Sequence, residues 1–306
     1  MKAVRVHAWG EAPRLDELPE PAAASGRTLV RMQAATVGHI DRTVWRGAFL
    51  RHPPLPYVPG VEAAGVVVSS AHFAVGQRVW LRGSGLGVAR DGTWRELIDA
   101  PDEAIGALPD GVPAALGSAF FSPCTSAWVA LHEVARVQAG EQILITGATG
   151  AVGSVAVQLA RELGAGVRAL VSDAAQAARL PAGADAVSVD ALAPRADVLI
   201  DTVGGAVLAA ALRGVAPGGR AVLVGYTAGE AVELNLPELL QRDVALLPLN
   251  MLRREDAGRA AAPALLARIA GGGLTLEVTE FPLHEAARAL AWIATRGRRG
   301  RAVLTA

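Results

Sequence analysis

The 306-residue chain carries 29 basic and 29 acidic side chains, for a formal charge of zero and a pI near 7.0. That balance gives no electrostatic footing for nucleic acid or an acidic membrane surface. No apolar run follows Met1-Lys2 and no stretch approaches twenty apolar residues, so a soluble, cytoplasmic protein without a membrane partner is expected. One cysteine, Cys124, allows no intrachain disulfide and no cysteine-rich zinc lobe. One lysine, Lys2, excludes a lysine-dependent phosphate loop, a Schiff base and a Tyr-Lys catalytic pair, unless arginine substitutes.

The length suits two domains. Residues 1–115 hold short β segments punctuated by Gly and Pro: Lys2–His7, Thr28–Ala34, Gly65–Ser69, Gln77–Leu81 and Thr93–Asp99. That spacing predicts a compact β domain of barrel type. Residues 116–135 read as a connecting helix, with Trp128, Leu131 and Ala135 at core spacing. Gln142–Thr146 is a short apolar run ending at Gly147, a strand that stops at a turn. Gly147, Gly150 and Gly153 then fall three apart. From Val152 the positions Val152, Val155, Ala156, Leu159, Ala160 and Leu163 repeat as the buried face of a helix, and Gly164 stands where a glycine closes one. Val167–Val171 begins a second strand.

Strand, glycine turn, helix and strand in about thirty residues make a dinucleotide-binding βαβ unit. One glycine permits the tight turn, one lets the backbone approach a pyrophosphate, and one lets the helix lie against the strand. The pyrophosphate then meets unpaired N–H groups at the helix start. Gly147, Thr149, Gly150, Ala151, Val152 and Gly153 are the expected contacts.

Asp185–Val189 and Asp197–Asp201 read as the third and fourth strands, with only Asp190–Ala196 between them. A parallel crossover usually takes about a dozen residues, so this one is shortened. Val203-Gly204-Gly205 opens another helix, and Arg220–Gly225 is a fifth strand. Gly225 and Tyr226 mark its C-terminal end, where ligands of open parallel sheets collect. Val244–Leu247 reads as an edge strand. From about Asn250 the chain returns to the first domain, through helices over Ala257–Ala270 and Leu283–Trp292 and a last strand at Ala302–Leu304. The Arg296–Arg301 cluster is short and reads as a solvated turn.

Several ordered motifs carry a resemblance: VGHIDRTVWRGAF (37–49), LPYVPGVEAAGVV (55–67), SAWVALHEVARVQAGEQILITGATGAVGSVAVQLA (126–160), DVLIDTVGG (197–205), GGRAVLVGY (218–226) and GRAVL (300–304). Together the chain resembles the medium-chain dehydrogenase/reductase superfamily, and within it the zinc-independent quinone oxidoreductase and enoyl reductase branch. The resemblance implies an α/β protein: a Rossmann doubly wound parallel sheet plus an N-terminal chaperonin-10-like β-barrel catalytic domain. Residues 1–115 would be that catalytic domain, 116–249 the dinucleotide-binding domain and 250–306 the return to the first. It also implies a homodimer paired at the sheet edge.

The resemblance bears on zinc as well. Zinc-dependent members carry a cysteine where this chain has Gly38 and a histidine where it has Val61, and Cys124 is out of register with the remaining ligand region. His39, Glu62 and Cys124 are the only residues left to assemble three ligands and an open position, so no metal is expected. Ser126 takes the place of the family threonine near the nicotinamide, Val203 and Asn250 fall in cofactor-side segments, and Arg301 aligns with a cofactor-fixing lysine or arginine. NAD-specific folds place an acid at the end of the second strand. Here Val171 stands there, Ser172 can donate to a 2′-phosphate, and Arg168 or Arg179 can approach it. Asp173 argues for a free 2′-hydroxyl, or is an N-cap. The balance favours NADPH over NADH.

Without zinc a plain ketone loses a Lewis acid worth several kcal/mol, whereas a quinone or conjugated alkene spreads the delivered charge onto a distant oxygen. The resemblance and this chemistry together imply reduction of a quinone or an α,β-unsaturated carbonyl, a small-molecule substrate. Two alternatives stay open: a biosynthetic enoyl or ketone reductase, and a low-turnover NADP(H)-binding redox sensor or scaffold. Ile40 and Thr43 replace polar residues that relatives use. His39 and Asp41 are the candidates for protonation or substrate orientation; a hydrogen-bonded structural histidine and a capping aspartate are the other readings. Trp45, Phe49, Tyr57 and Trp94 would form an aromatic substrate wall, or core.

Overall fold

Strand Arg27–Val37 organises the first part of the computed structural model, which describes residues 1–22, 24–295, 297–298 and 300–306. Its first half alternates buried and solvated residues, whereas Ala34–Val37 are buried on both faces. One side pairs antiparallel with Glu62–Ser69. The other side pairs with Leu97–Pro101 along its first half and with Arg301–Thr305 along its second. The sheet runs on from Glu62–Ser69 through Arg78–Arg82 to Ile105–Ala107, and from Arg301–Thr305 to the parallel strand Val278–Pro282. Lys2–Arg5 and Arg14–Glu17 form a separate antiparallel pair. Val30, Met32, Trp94, Ile98, Phe281 and Leu290 share the core of this unit. The unit comprises Met1–Phe121, Leu266–Gly273 and Glu277–Ala306.

The second unit comprises Ser122–Leu265 and Leu274–Leu276. The chain thus passes into it at Ser122 and leaves it within the helix Glu255–Ala270, against boundaries of 116 and 250 expected from the sequence. Its six strands are parallel. In chain order they are Gln142–Thr146, Gly166–Leu170, Asp185–Val187, Ala196–Asp201, Val215–Leu223 and Ala245–Pro248. Across the sheet the third strand is followed by the second, first, fourth, fifth and sixth, the doubly wound order. The order reverses between the first and fourth strands, Gln142–Thr146 and Ala196–Asp201. Leu144, Leu199, Leu212 and Ala221 lie in the core beneath.

Helix Ala151–Glu162 follows the first strand and buries Val155, Ala156, Leu159 and Ala160. Gly164, at φ +77°, ends it as the sequence requires. The crossover from Asp185–Val187 to Ala196–Asp201 contains only the 3-10 turn Val189–Ala191. The connecting helix differs from expectation. It breaks into Ala114–Ala119, Phe121–Val129 and a π turn at Ala130–Val134, where the Ala135 N–H reaches back to the Ala130 carbonyl. The His132 ring stacks on Trp128 at 4.6 Å and donates from Nδ1 to its carbonyl, a bond that competes with the regular helical ladder. Among the described residues, no helix is long and apolar enough to cross a membrane.

Candidate functional site

In the second unit, the loops after the first, fourth and fifth strands converge at the reversal of strand order. Gly147 has φ +62°, and a Cβ there would run into Thr202 Oγ1 and Val203. A Cβ on Gly153 would strike the Gly147 carbonyl, and one on Gly225 the Thr202 carbonyl. These glycines are therefore fixed by close backbone approach. Gly150 is the N-cap of the helix, in extended conformation and with no side-chain cap. The first intrahelical bond runs from the Ser154 N–H to the Gly150 carbonyl, so the N–H groups of Ala151, Val152 and Gly153 have no partner inside the helix. Thr149 lies in the turn closed by the bond from the Gly150 N–H to the Gly147 carbonyl.

Beneath this loop lies a polar pin that sequence reasoning missed. Thr146 Oγ1 donates to Asp201 Oδ1 at 2.5 Å and accepts from the Thr202 N–H at 3.0 Å. Thr202 Oγ1 donates to the Thr146 carbonyl at 2.8 Å, and Asp201 Oδ2 accepts from the Gly204 N–H at 2.8 Å. Asp201 is fully buried, and burial pushes its carboxyl up against the pull of these donors. The only trace in the sequence was an acid at the end of the apolar run Asp197–Asp201.

Val171 is buried at the end of the second strand, as an apolar residue there requires. Ser172 Oγ donates to Asp173 Oδ2 at 2.7 Å, and Asp173 Oδ1 accepts from the Gln176 N–H at 2.8 Å. Asp173 is thus the N-cap of Ala174–Ala177, and its bonds to Gln176 and Ser172 hold its carboxyl below the usual range. Arg179 follows half-buried after this turn, and Tyr226 is 60% exposed beyond the fifth strand. Ser126 is buried within Phe121–Val129. Asn250 is exposed and caps the turn after the sixth strand, its Oδ1 accepting from Leu252 and Arg253.

In the first unit His39 and Asp41 open the helix His39–Trp45. Asp41 is 1% exposed. Its two oxygens accept from the Gly38 N–H at 2.7 Å and the Val61 N–H at 3.1 Å, which ties the helix to the 55–67 segment. Burial, with a smaller push from Glu62, raises its carboxyl to about 7 against Gly38, Arg301 and Arg82. Glu62, also 1% exposed, is bound by Arg301 Nη2 at 2.8 Å and approached by Arg82 at 3.7 Å. Arg301 Nη1 donates to the Ala119 carbonyl at 2.8 Å. His39 is exposed, but its ring is desolvated and faces Arg298, Arg301 and Arg42; together these lower its pKa to about 4. Arg296 and Arg299 of the expected cluster lie outside the described residues.

The aromatic wall is divided. Trp94 is wholly buried in the core and its indole N–H donates to the Thr36 carbonyl, whereas Trp45, Phe49 and Tyr57 share a smaller cluster with Val6 and Val44.

Residues 24–110 match a family described as alcohol dehydrogenase GroES-like domain, and residues 173–304 match one described as zinc-binding dehydrogenase. The chain is 28% identical to the quinone oxidoreductase of Mus musculus over 94% of its own length and 92% of the relative's. The quinone oxidoreductase of Thermus thermophilus, described together with its complex with NADPH, superposes with a TM-score of 0.83 at 29% identity, covering 100% of each chain. That of Pseudomonas syringae pv. tomato gives 0.86 at 26%, covering 100% of this chain and 99% of the other. The chain belongs to the medium-chain dehydrogenase/reductase superfamily. It is an oxidoreductase of that superfamily, with the superfamily's six-stranded parallel Rossmann sheet and N-terminal GroES-like domain.

Two groups that this medium-chain dehydrogenase/reductase implies can be tested against its residues. A dinucleotide fits: the cradle at Gly147–Gly153 is kept open by glycines and lined by outward N–H groups. Zinc does not fit. A Cβ at Gly38 would lie 3.2 Å from the Arg301 guanidinium, so a thiolate ligand there would share its space with a fixed cation. Val61 offers no donor atom, and the Glu62 carboxylate is already held by Arg301.

Proposed function

We propose that this oxidoreductase is an NADPH-dependent reductase of quinones or α,β-unsaturated carbonyls that works without a metal ion. The carrying observation is Arg301, whose guanidinium stands against Gly38, where zinc-dependent relatives carry a ligand, and holds Glu62, one of the residues left from which a metal site could be assembled. When bound, the coenzyme supplies the hydride. The backbone N–H groups of Ala151, Val152 and Gly153 bind its pyrophosphate, with Thr149 beside them. Ser172 and Arg179 receive the 2′-phosphate, for which the Ser172 hydroxyl turns away from Asp173. Ser126, Val203, Gly225, Tyr226 and Asn250 complete the coenzyme side. Likeness to a quinone oxidoreductase described with NADPH supports this choice.

On the acceptor side, Arg298 Nη2 lies 2.8 Å from His39 Nε2. A guanidinium only donates, so Nε2 accepts and the ring proton sits on Nδ1. A neutral His39 donates that N–H to the oxygen on which charge develops; its low pKa makes it an orienting donor rather than a store of protons. Asp41 acts through the backbone, by holding the helix that carries His39.

The test is a binding titration of NADPH against NADH, repeated with Ser172→Ala and Asp173→Ala, followed by NADPH oxidation over quinones, enones and enoyl thioesters. Ser172→Ala is expected to weaken NADPH by about tenfold, the worth of a charge-assisted bond, and to leave NADH unchanged. A preference for NADH that Asp173→Ala abolishes overturns the coenzyme assignment. Tight coenzyme binding with no acceptor turned over favours the sensor reading, and stoichiometric zinc in elemental analysis rules out the metal-free one.

A further inference from the structure

What stands beside Gly38 in place of a zinc ligand is itself a cation. The Arg301 side chain is only 10% exposed, and two bonds fix its guanidinium: Nη1 donates to the Ala119 carbonyl and Nη2 to Glu62 Oε2, both at 2.8 Å. These are its hydrogen bonds among the described residues. Each Nη carries two N–H groups, so Nη2 keeps one after bonding Glu62. Nη2 is also the atom that a Cβ on Gly38 would meet, at 3.2 Å. Gly38 has φ −114° and ψ 172°, an extended backbone open to any residue. The backbone does not demand a glycine there; what the glycine provides is room beside Nη2. The charge around that room is positive. Arg82 approaches the other oxygen of Glu62 at 3.7 Å, so two guanidinium groups stand against one carboxylate. Asp41, the other acid beside Gly38, is raised to about 7 chiefly by burial and holds less than a full charge at neutral pH. A fixed cation with a spare N–H and room at its tip can do for a carbonyl what a Lewis acid does, stabilising negative charge on the oxygen.

We propose that Arg301 Nη2 donates a hydrogen bond to the carbonyl oxygen of the acceptor, in the space that Gly38 leaves, and so supplies the charge stabilisation that a metal ion would otherwise give. The proposal rests on the reductase reading and adds a catalytic residue to it. A hydride from the nicotinamide coenzyme adds to the β-carbon of an enone, the C=C pair shifts toward the carbonyl carbon, and the C=O pair moves onto oxygen as an enolate. The Nη2–H holds that oxygen without giving up its proton, and a proton from water completes the α-carbon. The lone pairs of an enolate oxygen admit His39 as a second donor. The competing role for Arg301 is a bond to the coenzyme's diphosphate, and the experiment separates the two.

The first arm uses no coenzyme. 4-Nitrophenol, whose ionised oxygen stands in for the enolate, is titrated into the full chain and its ionisation followed by the phenolate absorbance. Bound to the wild type it is expected to ionise about one pH unit or more below its free value. Two variants should abolish that shift while thermal unfolding shows them folded. One is Gly38→Ala, whose methyl group covers Nη2; the other pairs Arg301→Gln with Glu62→Gln, so that no lone carboxylate is left buried. A lack of saturable binding, an unshifted ionisation or a shift that survives both variants overturns the proposal. The second arm measures NADPH oxidation with an enone. Gly38→Ala should lower kcat about a hundredfold, with the acceptor KM and the NADPH Kd near their wild-type values, the mark of a bond made only in the transition state. A wild-type kcat in Gly38→Ala overturns the proposal. So does a weaker NADPH Kd in the arginine variant with kcat restored at saturating coenzyme, which assigns Arg301 to the diphosphate. If no acceptor is reduced, the reductase reading fails and the phenol arm alone decides whether Arg301 offers an oxyanion site.

Discussion

Asp41 and His39 sit two residues apart at the start of one helix and respond to pH in opposite directions. The folded-state pKa of Asp41 is raised from 3.8 to about 7, so between those values the folded chain holds a proton that the unfolded chain has lost. Stability therefore falls as pH rises through that window, by up to about 1.4 kcal/mol per pH unit. His39 is lowered from 6.5 to about 4, so there the unfolded chain holds the extra proton and stability rises with pH. Because His39 is exposed and Asp41 is not, solvent screens the histidine's share and the aspartate dominates. Urea unfolding at pH 4.5 to 7 should show a net fall for the wild type, a reversed slope in Asp41→Asn and a steeper fall in His39→Gln. A flat profile in all three would remove both shifts.

At the scale of elements, the glycine loop and the turn after the fourth strand are held as one piece by Thr146, Asp201 and Thr202. Asp201→Ala leaves the Gly204 N–H and the Thr146 hydroxyl without their acceptor in a buried place, at about 1–3 kcal/mol for each group. The expected result is a lowered Tm, with coenzyme affinity falling further than Tm alone predicts, because the loop that receives the pyrophosphate loses its footing. Gly153→Ala should have the larger effect on affinity, since its methyl group meets the Gly147 carbonyl. Isothermal titration and thermal unfolding of both variants check this. Full coenzyme affinity in Asp201→Ala would reduce the pin to ordinary core bonding.

Across the whole molecule, the cores of the two units are built from separate sets of residues, and the proposed coenzyme contacts belong to the second unit. A ligand that binds only the folded state at a hundred times its Kd adds about 2.7 kcal/mol, which for domains of this size is about 5–10 °C in Tm. NADPH at that excess should produce such a shift, and hydrogen exchange should slow first at residues 147–153 and 201–205. Protection confined to the first unit would place the coenzyme elsewhere.

The sequence by itself determined what depends on neighbours along the chain. The spacing of Gly147, Gly150 and Gly153, the apolar face from Val155 to Ala160 and the closing Gly164 fixed strand, turn and helix, because each is a local backbone requirement. The missing ligand residues at Gly38 and Val61 were equally plain. The break at Ala130–Val134 was not, since it follows from a ring stacking on its own helix. Only the tertiary structure decided where Arg301 spends its charge, on a glutamate 239 positions away, or that Thr146 and Asp201, 55 apart, share one hydrogen bond. It also placed Trp94 in the core rather than on a wall. A side chain's partner is set by which strands lie side by side, and strand order is a property of the folded sheet that no window of sequence contains.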